Sequence, residues 1–131
     1  MKIKNIILIA ITFVAMSTTA QQERNIAFYN VENLFDTINT PDKNDTEYLP
    51  TAEKKWNTKK YFTKIAHINK VVEELNFPII LGLCEIENEA VVRDIVNGGQ
   101  MKGAYGVVHY ESLDKRGIDN AIIYDSTLMT I

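Results

Sequence analysis

The segment that most constrains the fold is residues 76–88, NFPIILGLCEIEN. Residues 77–83 carry no charge, and an apolar run this short, bounded by Pro78, reads as a buried central strand. Just ahead of it, across residues 58–75, apolar side chains fall at Tyr61, Ile65, Ile68, Val72 and Leu75. That is helical spacing, with one face directed at a sheet. Asn76 and Pro78 end the helix. A helix that feeds directly into a buried strand points to α/β layers.

The remaining segments fit that frame. Residues 25–31 read as a strand, and the polar stretch 37–50, with its prolines, reads as a loop. Asp42, Asp45 and Glu47 resemble a calcium loop only loosely, because the glycine and terminal glutamate of an EF-hand are missing. Residues 89–96 predict a short second helix, with Asn88 as N-cap and Gly98-Gly99 as its stop. Residues 105–110 and 120–124 are expected strands, joined by a loop into a hairpin. The order strand, long loop, helix, strand, helix, strand, strand predicts an α/β fold, with helices covering a mixed sheet. The early strands pair in parallel. No internal repeat, low-complexity tract or glycine-rich phosphate loop is present.

Chemistry gathers at three places. Glu85 stands at the C-terminal end of the central strand, and open α/β sheets bind ligands at that edge. A carboxylate there suits a hard cation such as Mg²⁺; the plainer alternative is a solvated acid that ends a strand. In the first strand, alternation puts Asn30 and Glu32 on the same face. An amide and a carboxylate so spaced suit a phosphate and its metal ion, and the alternative is a turn. The third place is ESLDKRGIDNAIIYD, a polar loop feeding a strand, with Arg116 and Gly117 between Asp114 and Asp119. His67 falls in the first helix and His109 in a strand; packing or surface roles are expected for both. Cys84, the only cysteine, cannot form an internal disulfide and is expected to point into the core.

The segments FYNVENLFD, LGLCEIEN and SLDKRGIDNAIIYD together resemble the first half of the endonuclease/exonuclease/phosphatase superfamily, which has the deoxyribonuclease I-like fold. The resemblance runs from Asn25 to the end of the chain and is strongest to secreted bacterial members, which carry a GID-x-A strand after a basic loop. It implies the N-terminal half of a layered α/β sandwich. It makes Asn30 the first-strand residue that contacts the scissile phosphate, and Glu32 the acidic residue two positions on, beside the substrate. Glu85 becomes the metal-binding glutamate, and Arg116 part of a loop bordering the substrate groove. Relatives often carry Gly-Val-Ala where this chain has Asp119-Asn120-Ala121, so the resemblance gives Asp119 no role. The family's second half supplies a GDFN-like string and a final Asp-His pair, and neither occurs here. The expected organisation is therefore a signal peptide over residues 1–20, then the N-terminal part of such a domain over residues 21–131.

The implied activity is phosphoester hydrolysis by metal-assisted water attack in the full-length form, with Mg²⁺ or Mn²⁺ as cofactor. The substrate is a nucleic acid, a nucleotide or a phospholipid headgroup. The alternative is a truncated, inert fragment or interaction piece.

Composition and charge refine this. Apolar residues make up 46% and charged residues 24%, ordinary soluble values, and 131 residues suffice for one small domain. Half a sandwich leaves one sheet face without its partner layer. The net charge of −3 argues against a broad non-specific nucleic-acid binder. Lys54, Lys55, Lys59, Lys60 and Lys64 form a basic run at the start of the first helix, expected to be a solvated face. At the N-terminus, Lys2 and Lys4 precede an apolar stretch over residues 6–16, too short to span a bilayer comfortably, and then small residues ending at Ala20. That pattern predicts export to the periplasm or beyond, cleavage after Ala20 and no stable membrane insertion afterwards.

Overall fold

A computed structural model describes residues 24–131, so the segment read as a signal peptide lies outside the described residues. The elements are β1 (Ile26–Leu34), α1 (Thr58–Glu74), β2 (Ile80–Ile86), α2 (Glu89–Asn97), β3 (Tyr105–His109) and β4 (Asp119–Asp125), with a single 3-10 turn at Thr46–Tyr48. The strands form one mixed sheet in the order β1-β2-β4-β3. β1 runs parallel to β2, while β4 is antiparallel to both β2 and β3. The parallel pair is joined through α1 and the antiparallel pair through a long loop, as the element order predicts.

Both helices cover one face of this sheet. Tyr61, Ile65, Ile68 and Val72 of α1 and Val91, Val92, Ile95 and Val96 of α2 share a core with Leu81, Leu83 and Ile86 of β2 and with Ala121 and Ile123 of β4. Leu81, Leu83, Ile86 and Ile123 are fully buried. Burying each such side chain contributes roughly 1.5–3 kcal/mol. Asn57 caps α1 by accepting from the Lys60 N–H at 3.0 Å. At its other end Asn76 and Phe77 take left-handed backbone, φ 56° and 51°, which turns the chain into β2. Asn88 caps α2 by accepting from the Val91 N–H at 3.0 Å.

The opposite face of the sheet is apolar and open. Ile26, Phe28 and Ile122 are 70%, 72% and 41% exposed there, and no described element covers them. Cys84 corrects the sequence reading: it is partly exposed and does not enter the helix-side core. The reason is strand alternation. Leu81 and Leu83 face the helices, so Gly82 and Cys84 face away. No helix among the described residues is long and apolar enough to cross a membrane.

Candidate functional site

Two strand irregularities lie side by side at the C-terminal ends of β1 and β2. The β1–β2 register shifts between Asn30 and Leu34, and the β2–β4 register shifts between Cys84 and Ile86. At these points Glu32, Asn33 and Glu85 have φ of 56°, 59° and 63°. Left-handed backbone costs a residue with a side chain on the order of 1–3 kcal/mol and clusters at functional sites. Bulges re-aim side chains that regular alternation would place elsewhere.

The result is a compact polar arrangement. The Asn30 Nδ2 donates to Glu85 Oε1 at 2.9 Å, although the two residues are 55 positions apart in sequence. The Asn30 Oδ1 accepts from the Glu32 backbone N–H at 2.7 Å. That local bond is the turn chemistry the sequence offered as an alternative to a plain strand, and it coexists with the contact to Glu85. It also fixes the amide: Oδ1 faces Glu32, and Nδ2 keeps a second proton for a ligand. Asn30 and Glu32 are exposed and Glu85 is partly so, and Glu85 forms no salt bridge among the described residues.

Lys64, from the second turn of α1, approaches from the helix side. Its Nζ donates to the Glu32 carbonyl at 2.6 Å, pinning the β1 bulge. Burial lowers the Lys64 pKa, while the Glu32 and Glu85 carboxylates act in the opposite direction. The lysine run in the sequence contained this residue but gave no sign that one member would turn toward the strands.

Arg116 sits in the loop before β4, on a turn closed by the Gly117 N–H donating to the Asp114 carbonyl at 3.1 Å. Gly117 has φ 74°, a conformation that favours glycine. The Arg116 guanidinium grips Asp114 at 3.1 Å through Nε and 2.8 Å through Nη2. This pairing raises the Arg116 pKa and holds the Asp114 carboxyl at about 2. Glu85 acts on Arg116 in the same sense, so the two share one electrostatic neighbourhood. Three of the five guanidinium N–H donors remain for a ligand.

Two further groupings, each built on a buried carboxylate, are ones the sequence reading did not identify. Asp119 accepts from the Ser112 N–H at 2.8 Å and lies 3.0 Å from His109 Nε2. The ligand atoms of His109, Glu111 and Asp119 lie within 4.8 Å of one another, close enough for a cation. The hydrogen bonds already engage both Asp119 oxygens, and Lys43 lies 3.7 Å from Glu111. The grouping therefore acts as a clamp on the loop that carries Arg116, and His109 takes the packed role expected of it. The second grouping centres on Glu87, which is 4% exposed. Its carboxylate accepts from the Asp36 backbone N–H and from Thr40 Oγ1. Burial pushes the Glu87 carboxyl up to about 7, against the lowering effect of the Asp36 N–H and Thr40 hydroxyl.

The Endonuclease/Exonuclease/phosphatase family model matches residues 25–131. No curated protein and no solved structure matches the chain.

Proposed function

The chain belongs to the endonuclease/exonuclease/phosphatase family, and from that premise we propose that it is the N-terminal part of an exported, divalent-metal-dependent phosphodiesterase. The observation that carries the reading is the Asn30–Glu85 pair, brought to one sheet edge by adjacent bulges. An accessible carboxylate in no salt bridge among the described residues fits Mg²⁺ or Mn²⁺. Such ions take hard oxygen ligands, often only one or two carboxylates, and leave positions for water and phosphate. When bound, the ion supplies Lewis-acid stabilisation of charge developing on the phosphate.

The chain's own residues then have distinct tasks. Glu85 holds the cation. Asn30, fixed by Glu32, turns its free Nδ2 proton toward a non-bridging phosphate oxygen. Arg116, held in place by Asp114, presents its remaining donors to a phosphate alongside. Glu32 borders the substrate. The uncovered sheet face supports the view that a second layer completes the domain and brings the group that activates water. Candidate substrates are nucleic acid, a nucleotide or a phosphorylated lipid headgroup.

The test is a panel of phosphoesters offered to the full-length protein with and without Mg²⁺. Metal-dependent hydrolysis is expected for at least one of them, and Asn30→Ala should slow it by about tenfold or more, as removal of an oriented donor does. Equal rates in Asn30→Ala and wild type would remove Asn30 from the site. Residues 21–131 alone are expected to be inactive.

Export rests on residues 1–20 alone. Mass spectrometry of the exported protein should give an N-terminus at Gln21, and an intact Met1 in the membrane fraction would contradict cleavage.

A further inference from the structure

We propose that the N-terminal half of α1 is a second phosphate-binding site, which takes the phosphate adjoining the scissile one on a single strand of nucleic acid. The inference rests on the reading of Asn30 and Glu85 given above and adds a subsite to it.

Chain path places this surface. β1 and β2 are parallel and α1 joins them, so α1 begins at the edge where β1 ends and runs back toward the start of β2. Its first turns therefore stand beside the paired bulges. Two hydrogen bonds mark that contact: Lys64 Nζ to the Glu32 carbonyl at 2.6 Å, and Trp56 Nε1 to the Phe35 carbonyl at 2.9 Å.

On the outer side of these turns runs a groove lined by Trp56, Lys59, Lys60, Lys64 and His67, with two uncharged polar residues. No carboxylate lines it, although the chain carries a net charge of −3. The lysine run divides here. Lys54 is paired with Glu47 at 2.9 Å and lies over the Tyr48 ring, so it is already engaged. Lys59 and Lys60 are exposed beside the groove, and the Lys60 ammonium donates to the Lys54 carbonyl with protons to spare.

Lys60, Lys64 and His67 follow helical spacing, so their Cβ atoms stand about 5–6 Å apart on one face. The positive end of the helix dipole adds to them. Lys64 belongs to both the groove and the catalytic edge, which makes the two surfaces continuous. The half-buried Trp56 indole gives the groove an aromatic wall. A basic groove with an aromatic wall is the arrangement that tracks a single strand: the phosphates meet cations and a base meets the ring. A substrate with only one phosphate would leave these lysines unused.

The test is binding of a short fluorescein-labelled single-stranded DNA to the full-length protein in EDTA, read by anisotropy over a range of salt. Lys59→Ala with Lys60→Ala should raise Kd about tenfold at low salt and reduce the slope of log Kd against log salt by about 1.4, the value for two lost contacts to a single strand. Lys59→Arg with Lys60→Arg should restore both. Turnover of bis-p-nitrophenyl phosphate, which has one phosphate, should be unchanged in both variants. An alanine variant with wild-type affinity and salt slope would overturn the proposal. So would loss of binding to phosphatidylserine vesicles with DNA binding retained, which would assign the groove to a membrane surface. Metal-free binding does not depend on Glu85. No metal-dependent hydrolysis of any phosphoester by the full-length protein would therefore defeat the hydrolase reading and leave the groove measurement intact, and a fully active Glu85→Gln enzyme would remove only Glu85 as metal ligand.

Discussion

Glu85→Gln is expected to lower metal-dependent hydrolysis by the full-length enzyme about 100-fold or more at low Mg²⁺, with almost no change in thermal stability. The magnitude follows from losing the charge that holds a Lewis acid worth several kcal/mol at the transition state, since each 1.36 kcal/mol is about tenfold in rate. Stability should hold because the substitution preserves what the fold uses. Glu85 Oε1 accepts one hydrogen bond, from Asn30 at 2.9 Å, and a glutamine carbonyl can accept the same bond. The left-handed backbone at φ 63° is unchanged by the swap. Excess Mg²⁺ should recover part of the rate, because affinity rather than architecture is lost. Rates measured against Mg²⁺ concentration, beside a melting curve in metal-free buffer, separate the cases. Near-normal activity at low Mg²⁺ would show that Glu85 holds no cation. A large loss of stability without metal would make it a structural residue.

The elements of this fold were legible because its helices and central strand are strongly patterned. Tyr61, Ile65, Ile68 and Val72 repeat at helical spacing and all enter the core. The apolar run before Glu85 is the strand paired on both edges. Asn57 and Asn88 both act as helix caps, though the sequence reading names only Asn88. What the sequence concealed arises where alternation breaks. Asn30 and Glu32 sit together because of a bulge and a local hydrogen bond rather than the period-2 rule that suggested them. Cys84 is the opposite case: it still follows alternation, and its outward face follows from Leu81 and Leu83 having the helix side. Long-range partners were beyond reach for a different reason. Lys64 meets Glu32 across 32 positions, and Glu87 meets Asp36 across 51. No local pattern encodes such pairs; they exist only once β1, α1 and β2 have packed.

Glu87→Ala is expected to destabilise the fold by about 2–4 kcal/mol, while Glu87→Gln should cost less than about 1 kcal/mol. Glu87 N–H donates to the Leu34 carbonyl at 3.1 Å, and its side chain continues that contact to the segment after β1. One carboxylate oxygen accepts from the Asp36 N–H and the other from Thr40 Oγ1 at 3.0 Å. Alanine would leave both part-buried donors without their acceptor, and each donor left unpaired costs about 1–3 kcal/mol. Glutamine fills the space. Its carbonyl can take the Asp36 N–H, and its amide can donate to the Thr40 hydroxyl, which rotates to accept. Glutamine also carries no charge, which suits this position. Burial raises the Glu87 carboxyl to about 7, and the Asp36 and Asp45 carboxylates push the same way. Because the pairing anchors the chain just beyond the β1 bulge, Glu87→Ala should also loosen the edge that carries Asn30 and weaken Mg²⁺ affinity in the full-length enzyme. Chemical denaturation of both variants, with unchanged slopes, measures the difference. An alanine variant as stable as the glutamine one would show that Asp36 and Thr40 find other partners and that Glu87 does not tie the two strands together.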